Sequence, residues 1–281
     1  MSRNQDRLSG TQQQDTSPPA HIMGEGGFSF VVPTEFVELP SGGRYYHEEH
    51  PLHGETAIEI KQMTAKEEDM LTSKTLLKKG VALDRVISSL IVNKTIDADS
   101  LLVGDRNAII VSTRVSAYGN DYTTKVGCPA CGVTQQYSFD LNSANVYGGE
   151  DLGTVGTTDN GNGTFNIDLE RTKVSVTFKL LTGRDEKAFL SGIELDKKQR
   201  VDRNVTRQLS GMIVAVNGDS NPEAIKYLVH NMPSADARHL RLAYRLTSPN
   251  IDLAQHFECS ECDHAQDMEV PLNADFFWPD R

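Results

Sequence analysis

The sequence predicts an α+β fold, and three observations lead there. Apolar residues recur at helical spacing in some segments and alternate along strand-like runs in others, without regular βα alternation or a short-period repeat. The four cysteines fall in two CxxC units, Cys128/Cys131 and Cys259/Cys262, with 127 residues between them. Residues 1–27 are polar and rich in Gln, Pro and Gly, which predicts a disordered N-terminal tail.

Element by element, Phe28–Val32 is a β-like run stopped by Pro33, and Phe36–Leu39 is a second extended run. Pro40-Ser41-Gly42-Gly43 predicts a turn, and Ala57–Lys61 alternates as a strand. Thr64 and Glu67 fit a capping box for a short helix ending near Leu71 or Thr72. Leu83, Val86, Ile87, Leu90 and Ile91 form the stripe of a second helix over Leu83–Val92. A third is expected from about Arg106 to Tyr118, with Asp105 as N-cap and Gly119 as stop.

Tyr122–Val126 and Gln136–Phe139 flank the first CxxC as strands. The glycines between Val146 and Gly163 indicate a flexible or hairpin-rich insertion, and Asp159–Gly163 a tight turn before strands near 165–169 and 174–181. Thr182 is a cap for Gly183–Ser191, and Arg203–Val216 has helical spacing up to Asn217-Gly218-Asp219. Asn221-Pro222 opens one more helix, Ser234 is the expected cap of another, and Pro249 closes the region. The expected divisions are 1–27, 28–140, 141–250 and 251–281.

Lys and Arg total 28 against 39 Asp and Glu, a formal charge of −11. This disfavours a surface built to neutralise phosphates and favours basic or mixed-charge protein partners. No run approaches a membrane span, and the N-terminus lacks the apolar core of a secretory signal.

The chemistry sits in the cysteines. Two CxxC knuckles supply four soft ligands, the set a structural Zn2+ takes, so Cys128, Cys131, Cys259 and Cys262 are the expected metal ligands. Tyr137, Phe139, Met268 and Val270 lie in β-like sequence beside them. The layout is that of a split zinc ribbon carrying an inserted, largely helical lobe, because 127 residues far exceed the spacer of a compact module. Two redox CxxC sites, disulfides or unliganded thiols are the alternatives; a thiol oxidoreductase lacks βαβ context here. A ribbon bound to nucleic acid, as in a transcription-associated module, is opposed by Glu258, Glu261, Asp263, Asp267 and Glu269.

His47, His50 and His53 lack HExxH spacing, and Pro51 opposes a helix, so they read as an exposed loop. His264 is a candidate substitute ligand or neighbour of the metal, or a surface residue, the reading favoured here. No phosphate loop, nucleophile elbow or dinucleotide fingerprint is present. Phe276, Phe277 and Trp278 near the end pack on the core, or Trp278 anchors a partner.

The run Val32–Ser41, the run Ile58–Asp69, the run Leu101–Asn107, the two knuckles and Phe276–Pro279 together resemble the baseplate protein family of T-even-type tailed bacteriophages, in its hub subunit or hub assembly group. The strand leading into Met63–Asp69 is also similar to tail assembly chaperones of other phages. The resemblance implies a non-enzymatic role without catalytic residues. It implies partners among other phage baseplate or tail proteins; from the acidic charge and the lack of a long apolar run, no nucleic acid and no membrane are expected. The implied location is the virion baseplate, or the host cytoplasm during assembly.

Overall fold

A computed structural model describes residues 21–23, 29–78, 80–149, 152–271 and 274–277. The expected tail lies outside them except for β1 (His21–Met23), which pairs antiparallel with β2 (Ser29–Val31). β3 (Thr34–Glu38) pairs antiparallel with β4 (Ala57–Lys61). Along β4 the period-2 alternation buries Ile58 and Ile60, as the sequence predicts.

Helix α1 (Ala65–Thr72) starts where the capping motif places it. Its buried Glu67 carboxylate accepts from the Thr64 backbone N–H at 3.0 Å and the Thr64 hydroxyl at 2.6 Å. It also accepts from Lys61 Nζ at 2.8 Å and Ser89 Oγ at 2.6 Å. Burial pushes this carboxyl upward, but the bonds from Lys61, Ser89 and Thr64 outweigh burial and hold it at about 2. A depressed acid stabilises the fold above its unfolded pKa and loses that stabilisation as pH falls towards the folded value. Chemical unfolding of the wild type is therefore expected to show a loss of about 3 kcal/mol between about pH 4.5 and pH 2 from this group. Glu67→Gln should cost about 2 kcal/mol at neutral pH and flatten that acid limb. An unchanged limb would refute the assignment.

Helices α2 (Lys74–Lys78), α3 (Ala82–Leu90) and α4 (Val103–Tyr118) follow. Helix α4 begins three residues earlier than expected. Asp105 is not its N-cap; Leu102 is. Asp105 lies in the first turn, fully buried, accepting from Ser41 N–H (3.0 Å), Ser41 Oγ (2.7 Å) and Tyr46 Oη (2.6 Å). Its carboxylate is thus used to hold the 40–46 turn, and local backbone need not supply its partners. Burial raises the Asp105 carboxyl above its usual range despite the bonds from Tyr46 and Ser41.

The rest of the Leu101–Asn107 run also makes packing contacts. Arg106 donates to Asp84 at 2.8 Å, and Asn107 Nδ2 donates to Asn250 Oδ1 at 3.0 Å. Gly104 faces the Pro249 carbonyl so closely that an added Cβ would sit 2.0 Å from its oxygen. Near the C-terminal end of α4, buried Arg114 donates to the carbonyls of Phe276 (2.7 Å), Gly119 (2.7 Å) and Asp121 (3.1 Å). One side chain thereby ties the helix end to the strand that follows and to the chain terminus.

β5 (Asp121–Gly127) and β6 (Thr134–Asp140) form the first CxxC hairpin. After a 3-10 turn at Leu141–Ser143, β7 (Asn145–Tyr147) leads to β8 (Thr157–Asp159), β9 (Thr164–Asp168) and β10 (Ser175–Lys179). Helix α5 (Gly183–Gln199) starts at the expected Thr182, whose hydroxyl accepts from the Asp185 N–H, and it runs eight residues beyond the predicted end. Lys187 of α5 bonds Asp84 at 3.1 Å and Asp99 at 2.5 Å, joining this part of the chain to α3.

Helix α6 (Asn204–Met212) stops short of the expected Val216. The remaining residues form β11 (Ile213–Val216), which pairs with β10. The spacing Leu209, Met212, Ile213, Val216 fits a helix. The β-branched Ile-Val-Ala-Val run instead completes an antiparallel sheet of order β11-β10-β9-β8, because the open edge of β10 offers backbone partners. Asn217 and Gly218, both at positive φ, make the turn. Helix α7 (Pro222–Asn231) is capped by Asn221 as predicted. Helix α8 (Ser234–Thr247) is preceded by Pro233, so Ser234 is its first residue and not its cap. β12 (Asn250–Asp252) pairs with β7, and β13 (Ala254–Glu258) with β14 (Ala265–Glu269), the second CxxC hairpin. A last 3-10 turn covers Ala274–Phe277. One contiguous apolar core runs from Val37 to Phe277. Phe276 and Phe277 are buried in it, with Phe276 edge-on to Tyr122 at 5.0 Å; Trp278 lies outside the described residues.

Candidate metal centre

Each cysteine pair sits in the turn of a hairpin, and the two turns are built alike. In the first, Cys128 N–H donates to Val133 O and Gly132 N–H to Cys128 O. In the second, Cys259 N–H donates to His264 O and Asp263 N–H to Cys259 O. The residue after each second cysteine is left-handed, Gly132 at φ 75° and Asp263 at φ 54°. Glycine takes this conformation freely, and aspartate is among the few side chains that tolerate it. The turn curls both thiols of a pair to one side.

The hairpins then meet. Gln135 of β6 accepts from the Ser260 N–H and hydroxyl, each at 3.0 Å, and donates to the Glu258 carbonyl at 3.1 Å. Gln255 of β13 repeats the arrangement in the other direction. It donates to the Asp140 carbonyl at 2.8 Å and accepts from the Asp140 N–H at 3.1 Å. Tyr137 packs against Phe257 at 5.1 Å and donates to the His256 carbonyl at 2.9 Å. Two glutamine amides thus stand in for the strand ladder between hairpins that share none.

This pairing brings all four sulfurs within 4.8 Å of one another. Cys128 and Cys262 sulfurs are 3.8 Å apart, and Cys131 and Cys259 sulfurs 3.7 Å. These distances exceed a disulfide bond of about 2.05 Å. They match the edge of about 3.8 Å of a tetrahedron whose centre is bonded to four thiolates at about 2.3 Å. The donor set fits a metal ion. Cys128 and Cys259 are buried, whereas Cys131 and Cys262 are exposed.

Backbone amides tune the thiols. The Cys131 N–H holds the Cys128 thiol down to about 6. The His264 N–H pulls Cys262 downward, but desolvation and the three neighbouring sulfurs outweigh it and leave that thiol at about 12.

Among the described residues, the four cysteines are the one His/Cys/Asp/Glu group close enough to hold a metal. His264 turns its ring to Gln266 at 3.3 Å, so it reaches the site through its backbone. His50 bonds Ser100 at 2.8 Å and stacks on Tyr46, and His53 bonds the Tyr46 carbonyl at 2.7 Å, so these histidines serve the turn. The five carboxylates expected around the second knuckle are all exposed. Gln135 and Gln255 are the site residues that sequence reasoning missed; a half-exposed glutamine in an alternating strand carries no distinguishing pattern.

A family model described as T4 bacteriophage base plate protein matches residues 32–278, a span that holds both hairpins and nearly all of the described chain. The chain belongs to this baseplate family. No curated protein and no solved structure matches it significantly. Membership in a baseplate family implies contacts with other phage tail or baseplate proteins, suggests the virion baseplate as location, and points to a structural component. No helix among the described residues is long and apolar enough to cross a membrane. In the Leu101–Asn107 run, part of the resemblance to that family, Gly104, Asp105, Arg106 and Asn107 each make a contact to a distant part of the chain.

Proposed function

We propose that this chain is a non-enzymatic structural or assembly component of the baseplate hub of a contractile-tailed phage, acting by protein–protein contacts. A Zn2+ ion held by Cys128, Cys131, Cys259 and Cys262 would close its two CxxC hairpins into a split zinc ribbon. Segment 141–250 would then be carried between the halves of that ribbon, with 28–140 and 251–281 on either side.

The observation that carries this reading is the meeting of four sulfurs from hairpins separated by 127 residues, in a baseplate-family chain. Four thiolates favour a borderline-soft ion such as zinc and leave it no open position for substrate, so the ion's chemistry would be cross-linking. The chain's own contribution is the register set by Gln135, Gln255 and Tyr137.

Two measurements test the proposal. Elemental analysis of the purified protein is expected to give one zinc per chain; a metal-free folded protein would remove the zinc. Mass spectrometry of finished virions against assembly intermediates is expected to find the chain in the finished particle. Its presence in intermediates alone would make it an assembly factor, and its absence from both would overturn the baseplate role.

A further inference from the structure

A groove of about 970 Å3, with no cysteine in its lining, lies between α8, the start of α4 and the strands β12 to β14. One wall carries Arg238, Arg241 and Arg245 of α8. Their spacing of three and four residues places them along one face of the helix. Among the described residues no carboxylate lies within 4.0 Å of any of the three. Arg241 Nε is bonded to the Ala237 carbonyl of its own helix, and Arg238 and Arg245 are exposed.

Beside the arginines the lining mixes aliphatic side chains with Tyr147, Tyr244 and Gln208. Leu181, Leu242, Leu246 and Ile251 face the groove, and Leu242 is 41% exposed. Asp252 and Glu269 also line it, so the cations come from the helix and the anions from strands. On a chain of net charge −11, a lining with three arginines against two carboxylates is a locally positive patch, and among the described residues none of the three arginines has a carboxylate partner. A concave, low-dielectric wall focuses such a charge on an incoming anion.

From this we infer that the groove is a docking site for a short acidic, leucine-bearing helix of a neighbouring assembly subunit. Carboxylates at matching three- and four-residue spacing would meet Arg238, Arg241 and Arg245, and aliphatic side chains would enter beside Leu242 and Ile251. A phosphate backbone suits the groove less well: it would meet the aliphatic lining, the two groove carboxylates and the overall negative charge. The inference rests on the reading of the chain as an assembly component and is independent of the metal.

The test uses the full chain and a synthetic helical peptide with glutamates at that spacing and leucines on the adjoining face, followed by fluorescence anisotropy. Binding is expected, and Arg238→Glu with Arg245→Glu should weaken it at least about tenfold while leaving thermal unfolding unchanged. Leu242→Ala should weaken it several-fold even at high salt, where ion pairing is screened. A peptide with lysines in place of the glutamates should not bind.

Failure of the glutamate peptide to bind at low salt would overturn the inference. So would binding indifferent to the arginine reversal or to Leu242, and so would tighter arginine-dependent binding of a DNA duplex. In the particle, the doubly reversed chain is expected to be lost from virions. If it is incorporated normally, the groove inference fails and the baseplate role stands. If the wild-type chain itself is absent from virions and intermediates while the peptide binds, the baseplate role fails instead.

Discussion

Gly104→Ala is expected to destabilise the protein by about 3 kcal/mol or more, although it adds one methyl group and improves helix propensity. The methyl carbon would lie 2.0 Å from the Pro249 oxygen, 2.8 Å from its carbonyl carbon and 2.9 Å from Asn250 Cα. All three are backbone atoms, so no side chain can swing aside. The chain at 249–250 leads straight into β12, which is held by β7 on one side and by Asn107 on the other. Relief therefore requires moving the start of α4, which also places Asp105 and Arg106 in their buried bonds. Gly211→Ala is the control. It lies exposed in α6, and its added carbon meets nothing nearer than Leu181 Cδ2 at 4.0 Å. There the change should stabilise by about 0.5 kcal/mol, the ordinary propensity gain. Urea unfolding of both variants checks the pair. Equal effects would mean that the α4–Pro249 contact is not a rigid one.

The same segment shows where sequence reading stops. Short-range rules located the elements that rest on short-range chemistry. The Thr64–Glu67 motif, Asn221-Pro222, the Asn217-Gly218 turn and the alternation in Ala57–Lys61 are each satisfied within a few residues. The cysteine spacing was legible as well, because four soft donors in two pairs allow few arrangements. What failed was whatever is decided across the fold. Asp105 has the composition of a cap but finds its donors 64 and 59 residues away, in Ser41 and Tyr46. Ile213–Val216 continues a helical stripe but is claimed by the open edge of β10. Gln135 and Gln255 act on backbone groups more than 110 residues distant, where no local pattern records them. Capping, turn and periodicity rules see neighbours along the chain; the partners of a buried polar group are chosen in space.

Chelating the proposed ion is expected to have the largest effect of all, and an uneven one. The β5–β6 and β13–β14 hairpins share no strand ladder; Gln135, Gln255 and Tyr137 bridge their seam, with the ring contact between Tyr137 and Phe257 beside them. Several of those groups are half-exposed, and each such bond is worth about 1 kcal/mol net. A tetrathiolate ion contributes far more, so chelation should cost on the order of 5 kcal/mol. Hydrogen exchange should quicken across β5, β6, β13 and β14. The β8–β11 sheet, which has its own ladder and helices, should keep its protection. The four cysteines should differ too. Cys131→Ser or Cys262→Ser leaves three sulfurs and a solvent-facing position, whereas Cys128→Ser or Cys259→Ser also buries a hydroxyl. The buried pair should therefore lose more stability and more metal than the exposed pair. Chelation that changes neither exchange in the hairpins nor overall stability would show that the glutamine seam suffices, and that the sulfurs meet without holding an ion.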